Sequence, residues 1–189
     1  FTLTLMLSAL KSYPRLDREV RAGGWGRFPM RELTGKTVGL VGFGRIGKRL
    51  AELLSGFGVT LLVYDPYVDA ETVRQHGGEK VALEVLLGRS DVVSLHLPST
   101  PETRHLMNAE RFALMKDGAY LVNTARGALV DEAALVAALQ SGKLAGAGLD
   151  VYETEPVTPD NPLFSLANTA LAPHCSAITY ETNYNGGLI

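Results

Sequence analysis

The sequence predicts an α/β protein built on a doubly wound parallel sheet, and three observations carry that prediction. Short apolar runs alternate with stretches of helical periodicity along most of the 189 residues. A glycine-rich turn, Gly42 to Gly47, joins the first of these runs directly to the first strong helical pattern. The composition, 46% apolar and 20% charged with a formal net charge of −2, suits a globular chain long enough to bury one large core.

The chain opens on an apolar stretch, Phe1 to Leu10, too short to span a bilayer and without a basic leader or a small-residue cleavage site. Leu3, Leu7 and Leu10 recur at helical spacing, which predicts an amphipathic helix ending before Pro14. After a polar, glycine-rich stretch, Arg21 to Gly26, six strands are expected. They are Val38 to Val41, Thr60 to Tyr64, Val92 to Leu95, Tyr120 to Val122, Ala147 to Val151 and Thr169 to Leu171. Ile46, Leu50, Leu53, Leu54 and Phe57 mark a helix between the first two strands, with Gly58 at its stop. Leu135, Val136 and Leu139 mark another, which starts after Asp131-Glu132 and ends at Gly142.

The turn Gly42-Phe43-Gly44-Arg45-Ile46-Gly47 carries the first chemistry. Its first glycine permits a tight turn, its second lets a pyrophosphate approach the backbone, and its third lets helix pack on strand. The helix that follows would offer free N–H groups and a partial positive charge to phosphates. Asp65 stands eighteen residues beyond Gly47, at the end of the second strand. A carboxylate there accepts ribose hydroxyls and repels a 2′-phosphate, which favours NAD over NADP. Gly42 to Lys48 also satisfies the phosphate loop of nucleotide hydrolases, but Arg49 stands where that loop needs a Ser or Thr for magnesium.

Further motifs extend this pattern: Tyr64-Asp65-Pro66, Leu95-His96-Leu97-Pro98, Thr100-Pro101-Glu102-Thr103, Val122-Asn123-Thr124-Ala125-Arg126-Gly127, Gly148-Leu149-Asp150-Val151-Tyr152-Glu153-Thr154-Glu155-Pro156 and Ala172-Pro173-His174. With the glycine turn, they make the chain resemble the NAD-binding domain of the D-isomer-specific 2-hydroxyacid dehydrogenases, from the first helix to about Thr179. The resemblance implies a Rossmann domain and a catalytic set of Arg126, Glu155 and His174. It also implies NAD contacts from Arg45 and Ile46 at the pyrophosphate and from Pro98 and Thr103 on the adenosine and phosphate side. Thr124, Ala125 and Asp150 would then lie near the nicotinamide. Histidine suits the base that accepts a hydroxyl proton, a glutamate would hold its tautomer, and arginine can grip a carboxylate with two parallel hydrogen bonds. Glu153 is the nearest competitor for the role of Glu155, which is preferred because it lies five residues after Asp150. Where the family often has a hydrophobic residue and then glycine after this histidine, the chain has Cys175-Ser176.

The resemblance further implies that residues 1–175 are the NAD-binding domain, with 1–30 a helical arm that pairs two copies into a homodimer. Trp25 and Phe28 are expected near that interface, or packed within the entry segment. Residues 176–189 would begin the return to a substrate domain that is largely absent from this chain, which opens on Phe1 and is expected to be part of a longer protein. The substrate is expected to be a small 2-hydroxy or 2-keto acid. An NAD-sensing interaction protein, like the co-repressor relatives of this fold, is the other reading. The slight negative charge and lack of a basic run argue against nucleic-acid or membrane partners. His76, His96, His105 and His174 show no metal-ligand spacing, so no metal is expected. The single cysteine, Cys175, excludes an intramolecular disulfide, favours a cytoplasmic setting, and is expected to be buried and inert.

Overall fold

The structure is a computed structural model that describes residues 1–185. Of the expected segment 176–189, residues 186–189 therefore lie outside the described residues. Seven parallel strands form one sheet: β1 (Thr37–Val41), β2 (Thr60–Tyr64), β3 (Gly78–Lys80), β4 (Val92–Leu95), β5 (Ala119–Asn123), β6 (Leu144–Leu149) and β7 (Thr169–Leu171). Their order is β3-β2-β1-β4-β5-β6-β7, so the winding reverses between β1 and β4, where folds of this type bind ligands. The helices are α1 (Thr2–Leu10), α2 (Tyr13–Arg21), α3 (Arg45–Leu54), α4 (Ala70–Gln75), α5 (Leu83–Arg89), α6 (Ala109–Leu114), α7 (Glu132–Gln140) and α8 (Tyr180–Asn185). Among the described residues, no helix is long and apolar enough to cross a membrane.

Two cores form because successive strand residues point to opposite faces. Val38, Leu40, Leu61, Val63 and Val122 join Leu5, Met6 and Leu10 of α1 and Leu50 and Leu54 of α3 on one side. Val41, Leu62, Val93, Leu95, Leu121 and Leu149 join Leu86, Phe112, Leu135 and Leu139 of α5, α6 and α7 on the other.

All six expected strands are present, but β6 begins earlier than the sequence pattern suggests, at Leu144, and ends at Leu149. The seventh, β3, is a three-residue edge strand, Gly-Glu-Lys, with too few apolar side chains to leave a pattern. The first helix ends at Leu10, but its buried side is Thr2, Leu5, Met6, Ala9 and Leu10, with Leu3 and Leu7 on its rim. A helix this apolar does not reveal its inner face by periodicity. The helix does end before Pro14, which lies in the first turn of a second helix, α2, where no backbone N–H is required. Within α3, Leu50 and Leu54 are buried, whereas Ile46 and Leu53 are exposed.

The register aligns the ends of six strands in one row. Tyr64, Val41, Leu95, Asn123, Leu149 and Leu171 pair across the sheet in turn. The residues one step beyond this row are Asp65, Gly42, His96, Thr124, Asp150 and Ala172. Most of the candidate site residues therefore stand on loops that leave the sheet at one level.

Candidate active site

The glycine turn has the geometry its sequence requires. Gly42 has φ +98, and a Cβ there would lie 2.8 Å from the His96 backbone. A Cβ on Gly47 would lie 2.6 Å from the Gly42 carbonyl oxygen, so the third glycine is what lets α3 approach β1. A Cβ on Gly44 would meet nothing within 4 Å. Whereas α4, α6 and α7 are capped by Asp69, Asn108 and Asp131, the first turn of α3 follows Gly44 and has no side-chain cap. Its N–H groups thus open onto free space beside exposed Arg45 and Ile46, an arrangement that fits a pyrophosphate.

Asp65 is only 7% exposed. Its Oδ2 accepts the Phe43 N–H at 2.7 Å, and its Oδ1 accepts the N–H groups of Tyr67 and Val68 at 2.8 and 3.1 Å. The carboxylate therefore braces the glycine turn itself, and a ribose would share an acceptor already in use. Thr103 accepts the Thr100 N–H at 2.8 Å, and its Oγ1 lies 2.8 Å from the Pro98 carbonyl, so it orders the loop after β4. The Thr124 hydroxyl is hydrogen-bonded to Thr2 of α1 at 2.7 Å.

Arg126 is exposed, and its guanidinium donates to the Ala125 carbonyl at 2.6 Å. The turn that presents it is held by Asn123, a buried residue at the end of β5. The Asn123 side chain accepts the Ala125 N–H at 3.0 Å and donates to the Arg126 carbonyl at 2.9 Å. Asn123 stands within the motif Val122 to Gly127, but nothing in the sequence marks this bracing role. Gly127 then packs so closely on the next loop that a Cβ would lie 1.7 Å from the Tyr152 carbonyl oxygen.

Glu155 and His174 meet: Nδ1 of the histidine lies 2.6 Å from Oε2 of the glutamate. The other carboxylate oxygen, Oε1, accepts the Tyr152 N–H at 2.9 Å. Partial burial opposes ionisation of Glu155, but the hydrogen bonds from His174 and Tyr152 outweigh it and hold the carboxyl below its ordinary pKa. Glu153, the competing carboxylate, pairs instead with His105.

His174 has φ 54, and its N–H donates to the Asp150 carbonyl at 2.7 Å. Fully buried Asp150 accepts the N–H groups of Cys175 and Ser176, one on each carboxylate oxygen, both at 2.9 Å. It thus clamps the loop that carries His174. Burial pushes the Tyr152 phenol up to about 12, so it stays protonated and donates to the Ala172 carbonyl at 3.0 Å. Beside the pair opens a cavity of about 680 Å³, lined mainly by Tyr152, Pro156, Val157, Phe164, Leu171 and Pro173.

Two expectations about the surroundings require correction. Cys175 is half-buried rather than buried, because it lies on the loop that leaves the edge strand β7; partial burial and the nearby Asp150 carboxylate raise its thiol pKa. Trp25 is 77% exposed and does not pack within the entry segment. Phe28 is the aromatic that packs there, with the Arg15 guanidinium 4.0 Å above its ring.

Comparison with known proteins shows the family. The D-isomer specific 2-hydroxyacid dehydrogenase, NAD binding domain family matches residues 3–176. The chain is 46% identical to the D-3-phosphoglycerate dehydrogenase of Archaeoglobus fulgidus over 99% of its own length and 36% of that protein's. It is 45% identical to the glyoxylate reductase of Korarchaeum cryptofilum, over 96% of its own length and 57% of the relative's. It superposes on a crystal structure of D-lactate dehydrogenase from Aquifex aeolicus complexed with NAD and lactic acid with a TM-score of 0.87 and 38% identity, covering 97% of this chain and 60% of that one. The chain thus spans between about a third and three fifths of these relatives. With a phosphate-ready glycine turn at the switch point of the sheet and a family match along nearly all its length, the chain belongs to the D-isomer-specific 2-hydroxyacid dehydrogenases and is an NAD-binding domain of that family.

Proposed function

We propose that the protein containing this domain interconverts a small 2-keto acid and the corresponding D-2-hydroxy acid, with NAD as the hydride carrier. The observation that carries this reading is the His174–Glu155 pair, 2.6 Å apart on loops at one edge of the sheet that also bears Arg126. NAD, when bound, supplies or accepts the hydride. Gly42, Gly44, Arg45, Ile46 and Gly47 would hold its pyrophosphate, Asp65, Pro98 and Thr103 its adenosine side, and Thr124, Ala125 and Asp150 its nicotinamide side.

In the reductive direction His174 delivers a proton from its ring to the keto oxygen, and in the oxidative direction it takes that proton from the hydroxyl. Glu155 keeps the ring oriented through Nδ1, which leaves Nε2 as the nitrogen that exchanges the proton. Arg126 binds the substrate carboxylate and draws electron density from the carbonyl. Asp150 and Tyr152 steady the loops that carry the pair.

The test is NADH oxidation by the full-length gene product with a panel of 2-keto acids. Turnover is expected, and His174→Gln should lower it by about a hundred- to ten-thousandfold while NADH binding persists. Unchanged turnover would remove His174 from the mechanism. NADH binding with no turnover of any acid would favour a cofactor-sensing interaction protein instead.

A homodimer in a cytoplasmic setting completes the reading. It is supported by α2, which buries none of its residues, and by exposed Tyr13, Trp25 and Met30 on the same arm. Light scattering of the folded protein at micromolar concentration should give twice the chain mass, and a monomer would sink this assignment.

A further inference from the structure

A second histidine–carboxylate pair grips the loop of Glu155 from its other side. His105 Nε2 lies 2.5 Å from Glu153 Oε1, and the Arg104 guanidinium donates to the same oxygen at 3.2 Å. The Glu153 N–H donates to Glu132 Oε2 at 3.2 Å, and Asn161 donates to the other oxygen of Glu132. The backbone N–H of His105 donates to the Ala128 carbonyl at 2.8 Å, two residues after Arg126. His105 is therefore tied by its backbone to the turn that presents Arg126 and by its ring to the loop that presents Glu155.

The two histidines share an unusual backbone. His105 has φ 48 and His174 has φ 54; both occupy the left-handed region, which is uncommon and costly for most residues other than glycine and asparagine. The strain at His105 is kept for a pair whose side chains are 35% and 28% exposed, too wet for the attraction to add much stability. Stability alone does not account for it.

We propose that His105, acting through Glu153, is a positioning residue that sets the spacing between Arg126 and the Glu155–His174 pair; the proposal rests on the dehydrogenase reading above. The charged and titratable groups around His105 are Arg104, Glu153 and Glu132, and those around Glu155 are His174, Asp150 and Tyr152. When His105 or Glu153 loses the contact, the 152–155 segment slackens. Glu155 then no longer steadies the proton on His174.

The experiment uses the full-length gene product with His105→Asn, which suits the left-handed backbone, with Glu153→Gln, and with both together. Wild-type turnover of 2-keto acids is measured first, and its absence would count against the dehydrogenase reading rather than against this one. Each single variant should lower kcat about ten- to a hundredfold, change the NADH dissociation constant less than twofold, and add nothing further in the double variant. An activity-free readout accompanies this: without cofactor, the His174 Nδ1 signal in 15N NMR, which reports its hydrogen bond to Glu155, should change in both variants. A pair with a merely structural role would lower the melting temperature and leave that signal in place. Folded variants with wild-type kcat and an unchanged His174 Nδ1 signal, or additive losses in the double variant, would overturn the proposal.

Discussion

Substituting Gly127→Ala tests the close packing that couples the arginine turn to the glutamate loop. The added methyl would lie 1.7 Å from the Tyr152 carbonyl oxygen, 2.0 Å from its carbon and 2.7 Å from the Glu153 nitrogen, all backbone atoms without a rotamer to yield. Moving from 1.7 Å to the 3.0 Å that packed carbon atoms observe requires a displacement of about 1.3 Å. Either the Arg126 turn retreats or the Tyr152–Glu155 segment does, and in both cases the spacing between Arg126 and Glu155 changes by about an ångström. A misplacement of that size costs roughly a hundredfold in rate, and overpacking costs about 1–3 kcal/mol of stability. Steady-state NADH oxidation by the full-length gene product and its melting temperature measure the two effects. Gly56→Ala is the control, since a Cβ at Gly56 meets nothing within 4 Å. A Gly127→Ala protein with unchanged kcat and melting temperature would refute the idea that these loops are rigidly coupled.

Two further outcomes follow from polar groups just beyond the strand ends. Burial pushes His96 from its ordinary value near 6.5 down to about 4, so its imidazole stays neutral when folded while the unfolded chain takes up a proton more readily. Stability therefore falls as the pH drops below about 6.5 and loses roughly 3 kcal/mol by about 4. Urea unfolding at pH 7 and pH 4.5 should show a smaller acid loss in His96→Gln, and an equal loss would disprove the assignment. Asp65→Ala strands the N–H groups of Phe43, Tyr67 and Val68, so it should cost about 2–3 kcal/mol and weaken NAD relative to NADP in fluorescence titrations. A preference for NADP in the unmutated protein would contradict the role given to Asp65.

The parts legible in the sequence were those with a local physical cause. The strands of the sheet interior announce themselves as apolar runs because both faces are buried, and the glycine turn announces itself because each glycine answers a separate steric demand. The short edge strand β3 and the six-residue helices α4 and α6 are too brief and too charged for periodicity to register. Pairings across the fold are harder still. His174 and Glu155 could be named from their motifs, yet 19 residues separate them and only the sheet brings them within hydrogen-bond reach. His105 and Glu153 are 48 residues apart and carry no mark of partnership in the sequence. Motif spacing marks Asp65 and Asp150 as cofactor ligands, yet it does not reveal that each also clamps a neighbouring loop, the glycine turn and the loop that carries His174.

The row of aligned strand ends also fixes where the chain tolerates change in length. Removing one residue from within β5 would draw the Arg126 turn back by about 3.3 Å and turn the side chains beyond the deletion to the opposite face. The loops at the other end of the strands carry no such constraint. Gly77, Gly118 and Gly142 enter β3, β5 and β6 in left-handed turns, and open space surrounds the position of a Cβ at each. Peptide tags, reporter insertions or new chain termini placed at those three turns would leave the working edge of the sheet as it is, which makes them the natural entry points for engineering this domain.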